Sequence, residues 1–146
     1  MTSPQTSGAL PTADLSGVLD GSLPPGLYRW RPSEGDPGPA EGPEEAGWDS
    51  RVVDLADVSG KSGFLQRCAE SLGFPDSFGY NWDALADCLT DLSWTDPPEQ
   101  GRLLLVRGWD RFTEAAPRDA ATAADVLAAA VGFWGGRATP MTVLLS

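Results

Sequence analysis

The chain has 146 residues, a one-domain length with enough material for a sizeable core. Its 21 acidic residues outnumber 10 basic ones, and the formal net charge of −11 repels nucleic acid and anionic membranes while favouring basic partners. With no histidine and no Cys-x-x-Cys pair, neither a metal site nor acid–base catalysis is supported, so the chain is read as a binding protein without a cofactor, not as an enzyme.

The first 50 residues hold 8 of the 13 prolines and 8 of the 17 glycines. The stretch 1–47 is therefore read as a partly disordered extension ahead of a domain at 48–146. Residues 1–11 are expected to be disordered. Residues 14–19 carry the pattern of one or two helical turns. Residues 26–30 (GLYRW) read as a short strand that adds to a sheet edge, and residues 31–47 (RPSEGDPGPAEGPEEAG) as an acidic linker. The first residues lack the basic and apolar regions of a signal peptide, and no apolar stretch approaches transmembrane length, which predicts a cytoplasmic location.

From Trp48 the pattern becomes globular. Residues 52–55 form a strand. Residues 62–72 form a helix with Phe64, Leu65, Cys68, Ala69 and Leu72 on one face, stopped by Gly73. A second helix follows, described below. The unbroken apolar run 103–106 predicts a strand covered on both faces. Residues 117–134 form an alanine-rich helix with Val126, Leu127, Ala130, Val131 and Trp134 inward, ended by Gly135 and Gly136. Residues 142–145 are the last strand. This order predicts an α/β fold: a small three-stranded parallel sheet packed with helices, with the 26–30 strand as an extra N-terminal edge strand.

Two features lead nowhere. Ser59-Gly60-Lys61-Ser62 suggests a phosphate loop, but the position that needs the first glycine is Leu55, so a turn and helix cap are expected. Cys68 and Cys88 fall on apolar helix faces and are read as buried free thiols, since a disulfide is not expected in a reducing cytoplasm.

The most informative stretch is 74–94, FPDSFGYNWDALADCLTDLSW. Asn81 is a strong N-cap candidate ahead of an apolar periodicity through Leu85, Cys88, Leu89 and Leu92. Asp83, Asp87 and Asp91 then recur every four residues and form one negative stripe on the opposite face. Like charges at this spacing weaken a helix by a few tenths of a kcal/mol per pair, about 0.2–0.5. Between Cys68 and Gly101 there is no Lys, Arg or His to compensate them. A stripe that costs local stability points to the binding of something cationic. Phe78 and the tryptophans Trp82 and Trp94 read first as core anchors, and Tyr80 as a loop-tip residue open to either role. Asp83 and Asp87 do not suit hydrolysis, because both project from one convex helix face rather than flanking a cleft.

The pattern from Leu72 to Thr90 resembles the central motif of the barstar family, at Pro75, Gly79, Asn81, Asp83, Ala84, Leu85, Asp87, Cys88, Leu89 and Thr90. The ending Thr142-Val-Leu-Leu-Ser146 resembles the family's last strand. The resemblance covers about residues 51–146. It implies a small intracellular protein that inhibits a secreted microbial ribonuclease, blocking the basic active-site cleft of a barnase-like or guanyl-specific enzyme, with no nucleic acid or membrane partner and a monomeric free state. The implied partner-binding residues are Asp83 and Asp87, with Asn81, Tyr80, Gly79, Trp82, Thr90 and Asp91 around them. Three departures accompany it: Ser77 stands where the best-known member has an aromatic residue, Ala86 where it has tryptophan, and the stretch 129–133 has no acid where its last helix supplies a glutamate. Two alternatives stay open: an immunity protein for a different toxin, or an acidic adaptor that binds a basic protein without inhibiting it.

Overall fold

The computed structural model describes residues 10–30, 47–92 and 98–146. In chain order its elements are β1 (Thr12–Ala13), α1 (Leu15–Leu19), β2 (Leu27–Trp30), β3 (Trp48–Asp54), α2 (Lys61–Leu72), α3 (Trp82–Leu89), β4 (Gly101–Arg107), α4 (Trp109–Ala115), α5 (Pro117–Trp134) and β5 (Met141–Leu145). Trp94, expected to anchor the core, lies outside the described residues, as do almost all of the stretches 1–11 and 31–47.

Two apolar runs organise the sheet. β4 is buried at six of its seven positions and β5 at all five, which is why Leu103-Leu-Leu-Val106 and Val143-Leu-Leu145 carry no alternation. Both strands are central. The order is β1-β2-β5-β4-β3, and every pairing is parallel. The expected three-stranded sheet is thus corrected to five strands. The 26–30 strand does form, as Leu27–Trp30, but it is not an edge, because Thr12 and Ala13 pair outside it with Arg29 and Trp30. A two-residue strand leaves too short a pattern to be seen in the sequence.

Alternate residues of the central strands feed two cores. Leu104, Val106, Val143 and Leu145 face the larger one, with Phe64, Leu65, Leu85, Leu89, Phe112 and Leu127. Leu103, Leu105 and Leu144 face the other, with Ala13, Leu15, Val18, Tyr28 and Trp48. The second face of the sheet is therefore covered by residues that precede position 48. Burying one such leucine stabilises by about 1.5–3 kcal/mol. α1 begins with Asp14, whose carboxylate accepts from Gly17 N at 3.0 Å. A Cβ at Gly17 would meet that carboxylate oxygen at 2.6 Å and Leu23 at 2.9 Å, so a larger residue here has to displace the Asp14 cap and the Leu23 side chain.

The helices on the larger core follow the sequence with one addition. α2 ends at Gly73, which takes the left-handed conformation at φ 65°. Its N-terminus is the Ser59–Ser62 turn, and Asp119 of α5 caps it across space, accepting from Lys61 N at 2.9 Å. A carboxylate already holds that N–H, which leaves the turn-and-cap reading. α4 was not anticipated: seven residues carry only Trp109 and Phe112 as inward positions, too few to show a period. In α5 the fully buried positions are Ala120, Ala123, Leu127 and Ala130, while Val126, Val131 and Trp134 are half-buried against the core.

A candidate partner-binding face on helix α3

Helix α3 is set on a hydrophobic footing. Leu85 and Leu89 have no exposed surface, and the half-buried Trp82 lays its ring 5.8 Å from that of Phe64. The C-terminal end is held by α5. Trp134 Nε1–H donates to the Leu89 carbonyl at 2.7 Å, taking up a group that the helix end would leave orphaned. The Arg102 guanidinium lies 5.5 Å from the centre of the Trp134 ring. Trp134 was foreseen as inward-facing, but not as the post that fixes α3. The signal for it is general: a buried tryptophan N–H seeks an acceptor.

The loop before α3 is an aromatic ladder. The rings of Phe74 and Phe78 are 4.8 Å apart, and those of Phe78 and Tyr80 4.7 Å. Phe78 is buried, as expected. Tyr80 stands at φ 52° and is 54% exposed, so a bulky residue in the left-handed region presents its ring to solvent. Such a conformation costs of order 1–3 kcal/mol and persists only where neighbours over-determine it. Those neighbours are the Phe78 ring and the cap at Asn81. The Asn81 side-chain oxygen accepts from Ala84 N at 2.7 Å, and its amide nitrogen donates to Gly79 O at 3.4 Å. Asn81 is thus occupied in setting the helix start. The approach of that amide leaves Gly79 little room, since a Cβ there would meet it at 3.2 Å.

Asp83 lies in the first turn of α3 and Asp87 one turn on, and both are exposed. The expected stripe of three aspartates on one helix is corrected to two on the helix and one in the turn beyond. α3 stops at Leu89. Thr90 caps it, and its hydroxyl donates back to Ala86 O at 2.9 Å. The N–H groups of Asp91 and Leu92 both donate to Cys88 O at 3.2 Å. Leu92 then turns at φ 52° to bury its side chain, which is 2% exposed. Asp91 remains exposed beside the helix end.

None of the three ion pairs among the described residues involves Asp83, Asp87 or Asp91. Cys88, expected to be buried, is half-buried between two of them. Its thiol is pushed up in pKa by desolvation, then by the charges of Asp91 and Asp87, so both carboxylates bear on one sulfur. Cys68 is fully enclosed, and burial pushes its thiol up to about 12. Among the described residues no cluster of His, Cys, Asp or Glu is arranged to hold a metal ion, and no helix is long and apolar enough to cross a membrane.

The described residues thus form a parallel α/β fold that presents a short acidic helix, seated on the core through Leu85 and Leu89 and without an ion-pairing base. The family model described as Barstar (barnase inhibitor) matches residues 48–146, well over half of the chain. The chain belongs to the barstar family. Members of that family are inhibitors, not enzymes, and their partners are barnase-like ribonucleases. The match begins at β3, so β1, α1 and β2 lie outside it. No curated protein matches the chain.

Proposed function

We propose that this protein inhibits a secreted microbial ribonuclease of the barnase-like or guanyl-specific type, acting in the cytoplasm of the producing cell and monomeric when free. The observation that carries the reading is the pair Asp83 and Asp87, exposed on α3 with no ion-pair partner among the described residues. A ribonuclease active site binds phosphate through Arg, Lys or His groups. Asp87, and next Asp83, enter that cleft in place of phosphate and accept charge-assisted hydrogen bonds. Gly79, Tyr80 and Asn81 cover the rim, with Trp82 beneath them and Thr90 and Asp91 at the far end. Residues 48–146 carry the binding face, and the N-terminal stretch supports the sheet behind it. The attraction between acidic inhibitor and cationic cleft speeds encounter and makes it salt-sensitive. The barnase–barstar pair is itself a standard example of such steering, and its magnitudes belong to that pair.

The test is cleavage of a fluorogenic RNA by a panel of secreted microbial ribonucleases, with and without this protein. Stoichiometric loss of activity, weakened far more by Asp87→Ala than by Asp91→Ala, is the expected result. Equal, negligible effects of both substitutions contradict the proposed face. Ser77, Ala86 and the acid-free end of α5 keep a second reading in view: an immunity protein for a different basic toxin. Inhibition of such a toxin, with every ribonuclease left active, selects it. Binding that leaves the partner's activity intact selects the adaptor reading instead.

A further inference from the structure

Among the described residues two large apolar side chains stand out as exposed, Tyr80 at 54% and Phe133 at 40%. They flank opposite ends of α3. Tyr80 immediately precedes its N-cap. Phe133 is on α5 next to Trp134, whose indole N–H holds Leu89 O at the other end, and the two rings meet edge-on with centroids 5.2 Å apart. After Gly135 and Gly136 the chain folds back, so that Arg137 Nε–H donates to Phe133 O at 3.0 Å. The guanidinium then lies 4.0 Å from the centre of the Phe133 ring. No ion pair among the described residues involves Arg137.

A single exposed aromatic is ordinary. Here it carries a cation on its face, in a chain of net charge −11 whose neighbouring helix is acidic. A standard interface covers about 800 Å² per partner, a disc roughly 30 Å across. Phe133 is one ring contact from Trp134, which bonds Leu89 two positions beyond Asp87, so it stands close enough to the end of α3 for one partner of that size to reach both. Stacking on Phe133 also restricts Arg137 before any partner arrives, which lowers the ordering cost of a contact there.

We propose that Phe133 and Arg137 form a second, partner-selecting contact of the α3 face. The Phe133 ring enters an apolar recess on the rim of the partner's basic cleft, and Arg137 pairs with a carboxylate beside that recess. The inference rests on the acidic-helix reading above. It adds that the preferred partner is not uniformly basic where it meets α5. A ribonuclease with Lys or Arg at that rim position faces a like charge and is disfavoured.

The test measures the dissociation constants of purified barnase-type ribonucleases with the full chain and with Asp87→Ala, Phe133→Ala and Arg137→Glu. For the enzyme bound best, Asp87→Ala is expected to weaken binding by more than about 30-fold, and each of the other two by about 10-fold. The sign of the Arg137→Glu effect is decisive. Added negative charge strengthens binding to a purely basic surface, whereas loss of a carboxylate pair weakens it. Unchanged binding by Phe133→Ala together with tighter binding by Arg137→Glu overturns the inference and leaves the Asp87 reading standing. Unchanged binding by Asp87→Ala, or binding of none of the enzymes, overturns both. Thermal unfolding of each variant separates loss of contact from loss of fold.

Discussion

Asp83 and Asp110 occupy equivalent positions, each in the first turn of a short helix where the helix dipole favours an acid. Their surroundings differ. Asp110 is gripped by Arg29 of β2 through two bonds of 2.7 and 2.9 Å, which tie α4 to the N-terminal strands. The Arg29 hydrogen bonds hold its carboxyl below the ordinary range. Among the described residues Asp83 has no such partner, and neither has Asp87. For Asp110 the chain supplies an arginine from 81 positions away in sequence. On α3 no such arginine is found among the described residues, although the other ion-pair system, Asp49 with Arg51 and Arg102, shows that bases are available elsewhere. The contrast supports the proposal that the acid face is open to charge brought by a partner.

The sharpest way to break the contrast is at Asp87. Asp87→Ala is expected to cost at least about 2 kcal/mol of partner binding, yet leave stability within about 0.5 kcal/mol in urea titrations. A large loss of stability would place Asp87 in the fold, and the comparison would fail. Next is Trp134→Phe, which removes the Nε1 donor from Leu89 O. It should cost roughly 1–3 kcal/mol in stability, since a carbonyl is left without its partner. Asn81→Ala should cost about 1 kcal/mol through loss of the helix cap. It should also weaken binding, because Tyr80 and Asp83 lose their fixed geometry. A binding loss without a stability loss would mean that Asn81 contacts the partner directly.

The smallest effect is expected at the paired acid. A double-mutant cycle on Arg29 and Asp110 should give about 0.2–1 kcal/mol, because the Asp110 side chain is 65% exposed and solvent screens the pair. Its pH dependence has a definite sign. A carboxyl whose pKa is lowered by folding contributes stability above its unfolded value, near 3.9, and that contribution is lost as pH falls through the lower folded value. The cycle repeated at neutral pH and in strong acid should therefore shrink in acid. The two thiols offer a parallel check. At pH 8 an alkylating reagent should modify Cys88 slowly and Cys68 only on unfolding, and bound partner should protect Cys88 further.

The start of α3 was readable because three local signals agree there: Asn81, the acid at Asp83 and the periodicity that begins at Trp82. Its end was not. Leu85, Leu89 and Leu92 keep helical spacing, so the pattern runs on past the point where Thr90 bonds back and Leu92 turns inward. The apolar run of β4 rightly implied cover on both faces of the sheet. What covers the second face was hidden: the helical turns at 14–19 and the strand at 26–30 were legible, but the Pro- and Gly-rich surroundings of Leu15, Val18 and Tyr28 gave no sign that they pack on the sheet. Its pairing to β5 spans more than 100 positions, and no local pattern reports a contact that distant. The Arg29–Asp110 bridge and the Trp134–Leu89 bond were invisible for the same reason. The aspartates themselves were legible; that two of them share a helix while the third sits in a turn was not.

We propose a division of roles in which Asp83 and Asp87 bind the partner while Asp110 supports the fold. The most direct measurement is the inhibition constant of native protein, Asp87→Ala and Asp110→Ala against one inhibited ribonuclease, at low and moderate salt. That division predicts that Asp87→Ala loses inhibition by at least about 30-fold and flattens the salt dependence, while Asp110→Ala inhibits like the native protein. Equal inhibition by all three, or a larger loss at Asp110 than at Asp87, would contradict it.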